Sequence, residues 1–465
     1  MRRAALLILL AAASSAANAA DAYLDPAFGN GGIVEIGWPA GSARAHAIGL
    51  DNAGRIVVGG SATGVNGDDD FALFRLLPDG TLDATYAMDG DGFRLVDFDL
   101  DGIGGNSADA INDMVVLGDG SVVSIGEAHF GFAAVNSQFA LVRVNASGNL
   151  DAGFGENGTV HFGFANFGNI DQGSRLAVDA AGNIVVAGTT VEYFAVNTPL
   201  EFWVGLTRLT PNGLLDPGFF PGRAALTFWV DPGPPPRHSK KNFPYALALD
   251  DEGRIAVAGA VGDPIAQCAA VFRARPDGDF DPTFGQYSRI RLGLVYGAAS
   301  ALLPTGNGKI LIAGGWGSVP STGQIFLARI NDDGSLDSGF ASGGVATLQL
   351  SAGFPLPSMI LPRPGGGWLV AGPLTDGVEY VNTSVVLAEF DAEGNPDPGF
   401  GQGGVAIIET PDGRVFDAGR LVSQPGGKLI VAGSLPNAGP DTTPHFAVMR
   451  IVFDEHVFAD GFDGG

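Results

Sequence analysis

The alternating carboxylates of Asp97-Phe98-Asp99-Leu100-Asp101-Gly102 are the first chemical motif in this 465-residue chain. Aspartates at every second position can converge on one hard cation, and the glycine permits the turn that brings them together. The twelfth position of such a calcium loop is here Ala108, with Asp109 beside it. The stretch therefore has two readings: a calcium site on Asp97, Asp99 and Asp101, or a solvated acidic crossover. No other cofactor is expected. The six histidines, at 46, 129, 161, 238, 445 and 456, show no zinc spacing, and no nucleophile elbow or phosphate-binding glycine loop occurs. Catalytic residues are accordingly left unassigned. His46 opens an apolar stretch and is a candidate to face a channel. His238 lies with Arg237, Lys240 and Lys241 in the insertion 229–243, a basic cluster in an acidic chain. It would dock an anionic partner, or be a stiff solvated loop. Trp38, Tyr193 and Trp316 offer flat faces for a sugar ring, or rim packing.

The elements that must position these residues come from a repeat. A Gly-bounded β-branched run starts at Gly54, Gly120, Gly182, Gly253, Gly308, Gly366 and Gly427, each with a second Gly six residues on. An element of the form Leu24-Asp25-Pro26-Ala27-Phe28 also recurs, giving seven Asp-x-x-aromatic steps at Asp25, Asp83, Asp151, Asp216, Asp281, Asp337 and Asp397. An aromatic stands three residues later each time: Phe28, Tyr86, Phe154, Phe219, Phe284, Phe340 and Phe400. In the first full unit the stretches 45–50, 55–62, 71–77 and 92–98 read as four strands joined by Gly, Asp and Asn turns. The expectation is an all-β fold, a seven-bladed β-propeller of four-stranded antiparallel blades. A parallel β-helix would need much shorter coils. The chain begins with the last quarter of a unit and ends with three quarters of one. Setting 32–37 beside 445–452 would complete the seventh blade, so that the N-terminal strand closes the ring.

A basic residue precedes the repeated aspartate by eight in five units: Arg75, Arg143, Arg208, Arg273 and Arg329; Glu389 stands there before Asp397. An Arg and a carboxylate meeting across a turn make a charge-assisted pair. Such pairs would fix blade geometry, or form a ring of anion sites. The repeated glycines fit turns of positive φ or close strand approach. The pattern resembles the bacterial delta-60 repeat family, in the segments 150–155, 427–433 and 139–143. That resemblance spans about residues 24–452 and implies a secreted propeller-like repeat protein with no assigned catalytic residues. Tyr86-Ala87, Phe219-Phe220 and Glu389 depart from the family pattern.

Charge and composition set the compartment and partners. The chain has 25 basic and 50 acidic residues, for a net charge of −25, which disfavours nucleic acid. Residues 1–19 read as a signal peptide, with Met1-Arg2-Arg3, a short apolar run and Ala17-Asn18-Ala19. The run is too short to span a bilayer, and Cys268, the only cysteine, can form no internal disulfide. Residues 20–456 are then the propeller and 457–465 an acidic tail, either a sorting cue or a frayed end. The expected protein is secreted, periplasmic or held in the bacterial envelope, a monomer whose partner is a glycan or envelope protein. The variable loops between second and third strands, and the crossovers, share one face, where function is expected. Two functions stay open: a non-enzymatic binding or scaffold module, and an enzyme, dehydrogenase- or lyase-like, acting on a carbohydrate or small metabolite at the channel mouth.

Overall fold

The computed structural model describes residues 22–453 apart from 39, 88–89, 101–107, 131–135, 165–169, 193–200, 221–240, 264–265, 318–322, 365, 377–381 and 438–441. The expected leader and tail lie outside the described residues. Strands are the only regular elements among them, and none of these residues forms a helix long and apolar enough to cross a membrane.

In the first full unit Ala43–Leu50, Ile56–Thr63, Asp69–Leu76 and Phe93–Val96 pair in that order, antiparallel. These bounds fall within three residues of the sequence reading. The same order recurs in Ala110–Val116, Val122–Phe130, Asn136–Val144 and Thr159–Phe162. It recurs again in Lys241–Leu249, Ile255–Asp263, Ala266–Ala274 and Arg289–Val295, and in Gly297–Pro304, Ile310–Trp316, Gln324–Ile330 and Val345–Gln349. Between the sheets at 110–162 and 241–295 stand Ile170–Val178, Ile184–Glu192 and Glu201–Leu209, bridged to the preceding sheet by one parallel pair, Ile170 with Ser137. In the sixth unit the first strand is split into Phe354–Pro355 and Met359–Pro362, ahead of Trp368–Thr375, Asn382–Phe390 and Val405–Ile408.

The last unit draws on both ends of the chain. Asp417–Gln424, Lys428–Pro436 and Pro444–Phe453 are joined by Ile33–Ile36, with Ile33 opposite Met449 and Ile36 opposite Phe446. This is the pairing the phase of the repeats requires. Ala22–Leu24 adds a further pairing, Ala22 opposite Phe453. Second strands are covered on both faces; seven of the eight residues of Ile56–Thr63 are buried. Outer strands such as Ile33–Ile36 bury one face only.

The core lies between successive units, and a recurring set of side chains fastens five of them to the next. Asp83 uses Oδ2 for Arg75, with Nε at 2.9 Å and Nη2 at 2.8 Å, and Oδ1 for the Thr85 amide at 3.0 Å. Both guanidinium nitrogens thus share one oxygen, because a turn amide holds the other. The Arg75 guanidinium lies 4.7 Å from the Tyr86 ring centre, and its Nη1 donates to the Ala146 carbonyl of the next unit at 2.6 Å. Arg208 repeats this with Asp216, Phe219 and Pro276, and Arg273 with Asp281, Phe284 and Asp332. The seven repeated aromatics are all buried. Where Glu389 replaces arginine, Arg363 supplies the opposite charge.

The unit made from the termini meets the first full unit through the same parts. Arg450 pairs with Asp25 at 2.8 Å, sits 4.4 Å from the Phe28 ring centre and donates to the Pro78 carbonyl at 2.7 Å. Phe28, Ile430, Phe446 and Val448 share one core with Ile48, Val58 and Phe74. The reading of these arginines as anion sites fails on this geometry: their donors are consumed within and between units.

Candidate functional site

The two repeated glycines have different duties. Gly54 (φ +73°) closes the turn after the first strand. Gly60, six residues on, is not in the left-handed region; it faces a bulge in the first strand. Ala45 pairs with Gly60 and Ala47 with Gly59, leaving His46 unpaired between them. A Cβ on Gly60 would lie 1.9 Å from the Arg44 carbonyl oxygen, so only glycine admits the bulged strand there.

The bulge recurs in each unit. Asn112 is extra between Ile111 and Asp113, Ser174 between Gly173 and Arg175, Tyr245 between Pro244 and Ala246, and Ser300 between Ala299 and Ala301. In the sixth unit three residues, 356–358, stand opposite Gly372 and Pro373. In the last, Gly419 and Arg420 stand opposite Ala432 alone. The facing glycines are tight throughout: a Cβ on Gly126, Gly188, Gly259 or Gly314 would fall 1.8–2.1 Å from a carbonyl oxygen of the first strand.

These bulges turn toward a common space. His46, Asn112, Arg175, Tyr245, Ser300, Ser358, Gly419 and Arg420 line one cavity of about 690 Å³, so every unit contributes to it. Gln267, Tyr296, Gly317 and Phe354, from the loop ends of the strands, complete its wall. The cavity thus lies toward the end where the variable loops run.

Its polar groups are tied together. Asn112 stands beside His46 on the wall, and its Nδ2 donates to the Gly173 carbonyl at 3.0 Å. Burial holds the His46 imidazole below its usual range, so the ring is uncharged at neutral pH. Arg175 donates Nε to the Tyr245 carbonyl and Nη1 to the Ser174 carbonyl. Burial, with the like charge of Arg420, brings its guanidinium down to about 9. Burial likewise pushes the Tyr245 phenol up to about 12. Arg420 approaches the Ser358 carbonyl at 3.4 Å and Asp113 Oδ2 at 3.9 Å, and Ser300 Oγ donates to the Pro357 carbonyl.

Of the residues singled out in the sequence, His46 is the one on this cavity wall. Trp38 packs edge-on to Phe93 and Phe446 and donates its indole N–H to the Thr63 carbonyl at 2.8 Å. Trp316 ends a strand opposite Gln324 and packs on the core between two units. Tyr193, His238 and Asp101 lie outside the described residues. Asp97 and Asp99 are exposed, and Asp97 accepts the Asp99 amide at 2.8 Å and Asn66 Nδ2 at 3.2 Å. Asp109 is buried and holds the Phe98 and His129 amides at 3.1 and 3.0 Å. Among the described residues no three His, Cys, Asp or Glu side chains gather as a metal site. The sequence reading missed Asn112, Arg175, Tyr245 and Arg420. A positional signal does exist: counting eight back from each turn glycine reaches His46, Asn112, Ser174, Tyr245, Ser300, Ser358 and Gly419.

A family model described as "Domain of unknown function (DUF5122) beta-propeller" matches residues 54–86, 117–154 and 305–340. It supports a β-propeller repeat protein. No curated protein matches the chain by sequence. Among solved structures the chain is similar to the polysaccharide lyase Uly1, at 9% identity over 88% of this chain and 89% of that one, TM-score 0.45. It is similar also to the GH93 α-L-arabinofuranosidase of Fusarium graminearum, at 12% identity over 72% and 91%, TM-score 0.39. A glucose dehydrogenase matches at 12% identity over 72% and 94%, TM-score 0.37.

Proposed function

We propose that this chain is a seven-bladed β-propeller, its ring closed by the N-terminal strand, exported from a bacterial cell as a monomer. In this reading it is a non-enzymatic binding module that takes a small glycan unit into the cavity on its axis. The observation that carries it is the convergence of seven bulges on one cavity with unlike residues at like positions. Where the repeat is uniform it serves the scaffold; where it varies at a fixed position, it presents a recognition surface. A volume of about 690 Å³ is that of a small-molecule site, and convergent polar groups beside Tyr245 and Phe354 suit a sugar's hydroxyls and flat face.

The test is thermal denaturation of the full chain against a panel of neutral and acidic saccharides. At least one class should raise the melting temperature, and Asn112→Leu should erase the rise. A panel that leaves the melting temperature unmoved throughout would remove this reading. A second reading, catalysis on the same ligand, is favoured by the uncharged His46 in a cavity with Tyr245 and Arg175, since a neutral imidazole can accept a proton. Product formation after long incubation with the bound saccharide would replace the binding module by an enzyme.

A further inference from the structure

We propose that the cavity is made for a carboxylate, held between Arg175 and Arg420, so that its ligand is an acidic sugar such as a hexuronate. The inference rests on the cavity being the ligand site. It begins with donors left over. The Arg75, Arg208, Arg273 and Arg450 guanidiniums are consumed by aspartates and by carbonyls of the next unit. Arg175 is not: Nε and Nη1 are used, while Nη2 has no acceptor among the described residues. Arg420 is held still less, since its contacts of 3.4 and 3.9 Å exceed an ordinary hydrogen bond.

The local charge points the same way. Each of these arginines directly follows a bulge position, where other units carry Ala47, Ala246, Ala301 and Met359. Asp113 is the one carboxylate at that position, and its Oδ2 also accepts the Leu176 amide at 3.2 Å. Arg175 and Arg420 therefore face Asp113, a partly committed anion, and the like charge of Arg420 lowers the affinity of Arg175 for its proton. A planar carboxylate would accept from both forks. With Asp113 3.9 Å from Arg420 and the charge of Asp417 acting on His46, a monoanion meets less repulsion here than a dianionic phosphate. The Tyr245, Tyr296 and Phe354 rings on the wall supply apolar faces for the body of the sugar.

Isothermal titration of the full chain with glucuronate, galacturonate, glucose, galactose and inorganic phosphate tests this. A uronate should bind at least tenfold more tightly than its neutral counterpart and than phosphate. Arg420→Gln should collapse that ratio toward one, and Asp113→Asn, which removes the competing carboxylate, should widen it. Equal binding of acid and neutral sugar, or a ratio indifferent to both substitutions, would overturn the carboxylate inference and leave the glycan site standing. Tighter binding of phosphate would overturn it too. If no sugar binds, the reading of the cavity falls, and this inference with it.

Discussion

Asp25 and Arg450 are 425 residues apart in the chain, yet Arg450 Nε lies 2.8 Å from Asp25 Oδ2. Arg75 and Asp83 make the same pair across eight residues. Lys428 adds a third member, with Nζ 2.9 Å from the same oxygen. The fastening used between neighbouring units is thus used once more between the two ends of the polypeptide.

Asp25→Asn should therefore be costly. Both partners are nearly buried, and removing one charge strands the other, an effect of about 3 kcal/mol. Asp279→Asn, which breaks the half-exposed pair with Arg275, should cost less than about 1 kcal/mol. Urea unfolding of the two variants would separate them; equal midpoints would deny the terminal pair its role.

Gly126→Ala should force the bulge at Asn112 to move. The new Cβ would meet the Ala110 carbonyl oxygen at 1.8 Å, an overlap that only backbone displacement relieves. The expected loss is about 3 kcal/mol. Gly118→Ala, where a Cβ meets nothing within 4 Å, should be close to neutral. Melting temperatures of both variants check the contrast.

Arg273→Lys should cost more than Arg143→Lys. Arg273 is fully buried and serves Asp281, Asp332 and Thr283 at once, a fork that an ammonium cannot copy. Arg143 is 20% exposed and reaches Asp151 at 3.2 Å. Losses of about 3 kcal/mol and of less than about 1 kcal/mol are expected, read as shifts in urea midpoint at unchanged slope.

The fold should also lose stability as pH rises through neutrality. Burial, then the charge of Asp97, pushes Asp70 up to about 7, and burial does the same to Asp109. Both lie above the ordinary value of 3.8, so the fold holds their protons more tightly than the unfolded chain does. Their contribution is complete below about pH 4 and disappears through pH 7, at about 1 kcal/mol per pH unit for each fully titrating group. His46, lowered by burial, acts in the opposite sense below its ordinary 6.5. The clean window is pH 6.5–8, where melting temperature should fall and Asp70→Asn should flatten the slope.

What could be read from sequence was whatever the units have in common. The repeated glycines and the Asp-x-x-aromatic elements recur, so spacing alone exposed them, and the phase of those repeats gave the partnership of 32–37 with 445–452. The Asp25–Arg450 pair escaped because its halves sit in incomplete units at opposite ends. The cavity escaped for a different reason. His46, Asn112, Tyr245 and Gly419 share a place in the fold and no chemistry, and a search for likeness passes over positions that differ. Trp38 and Trp316 read as stacking platforms because an aromatic's packing is not written in its type; here both are half-buried and pack against the core between units.

The glycine opposite each bulge has a consequence for how such a protein changes over time. It fixes where the extra residue emerges and is indifferent to which residue that is. Imidazole, amide, hydroxyl, phenol and bare backbone already occupy equivalent slots. A substitution in one slot alters one part of the wall without disturbing the strand pairing behind it. In the proposed binding module, specificity can therefore change one residue at a time while the frame that displays it is kept.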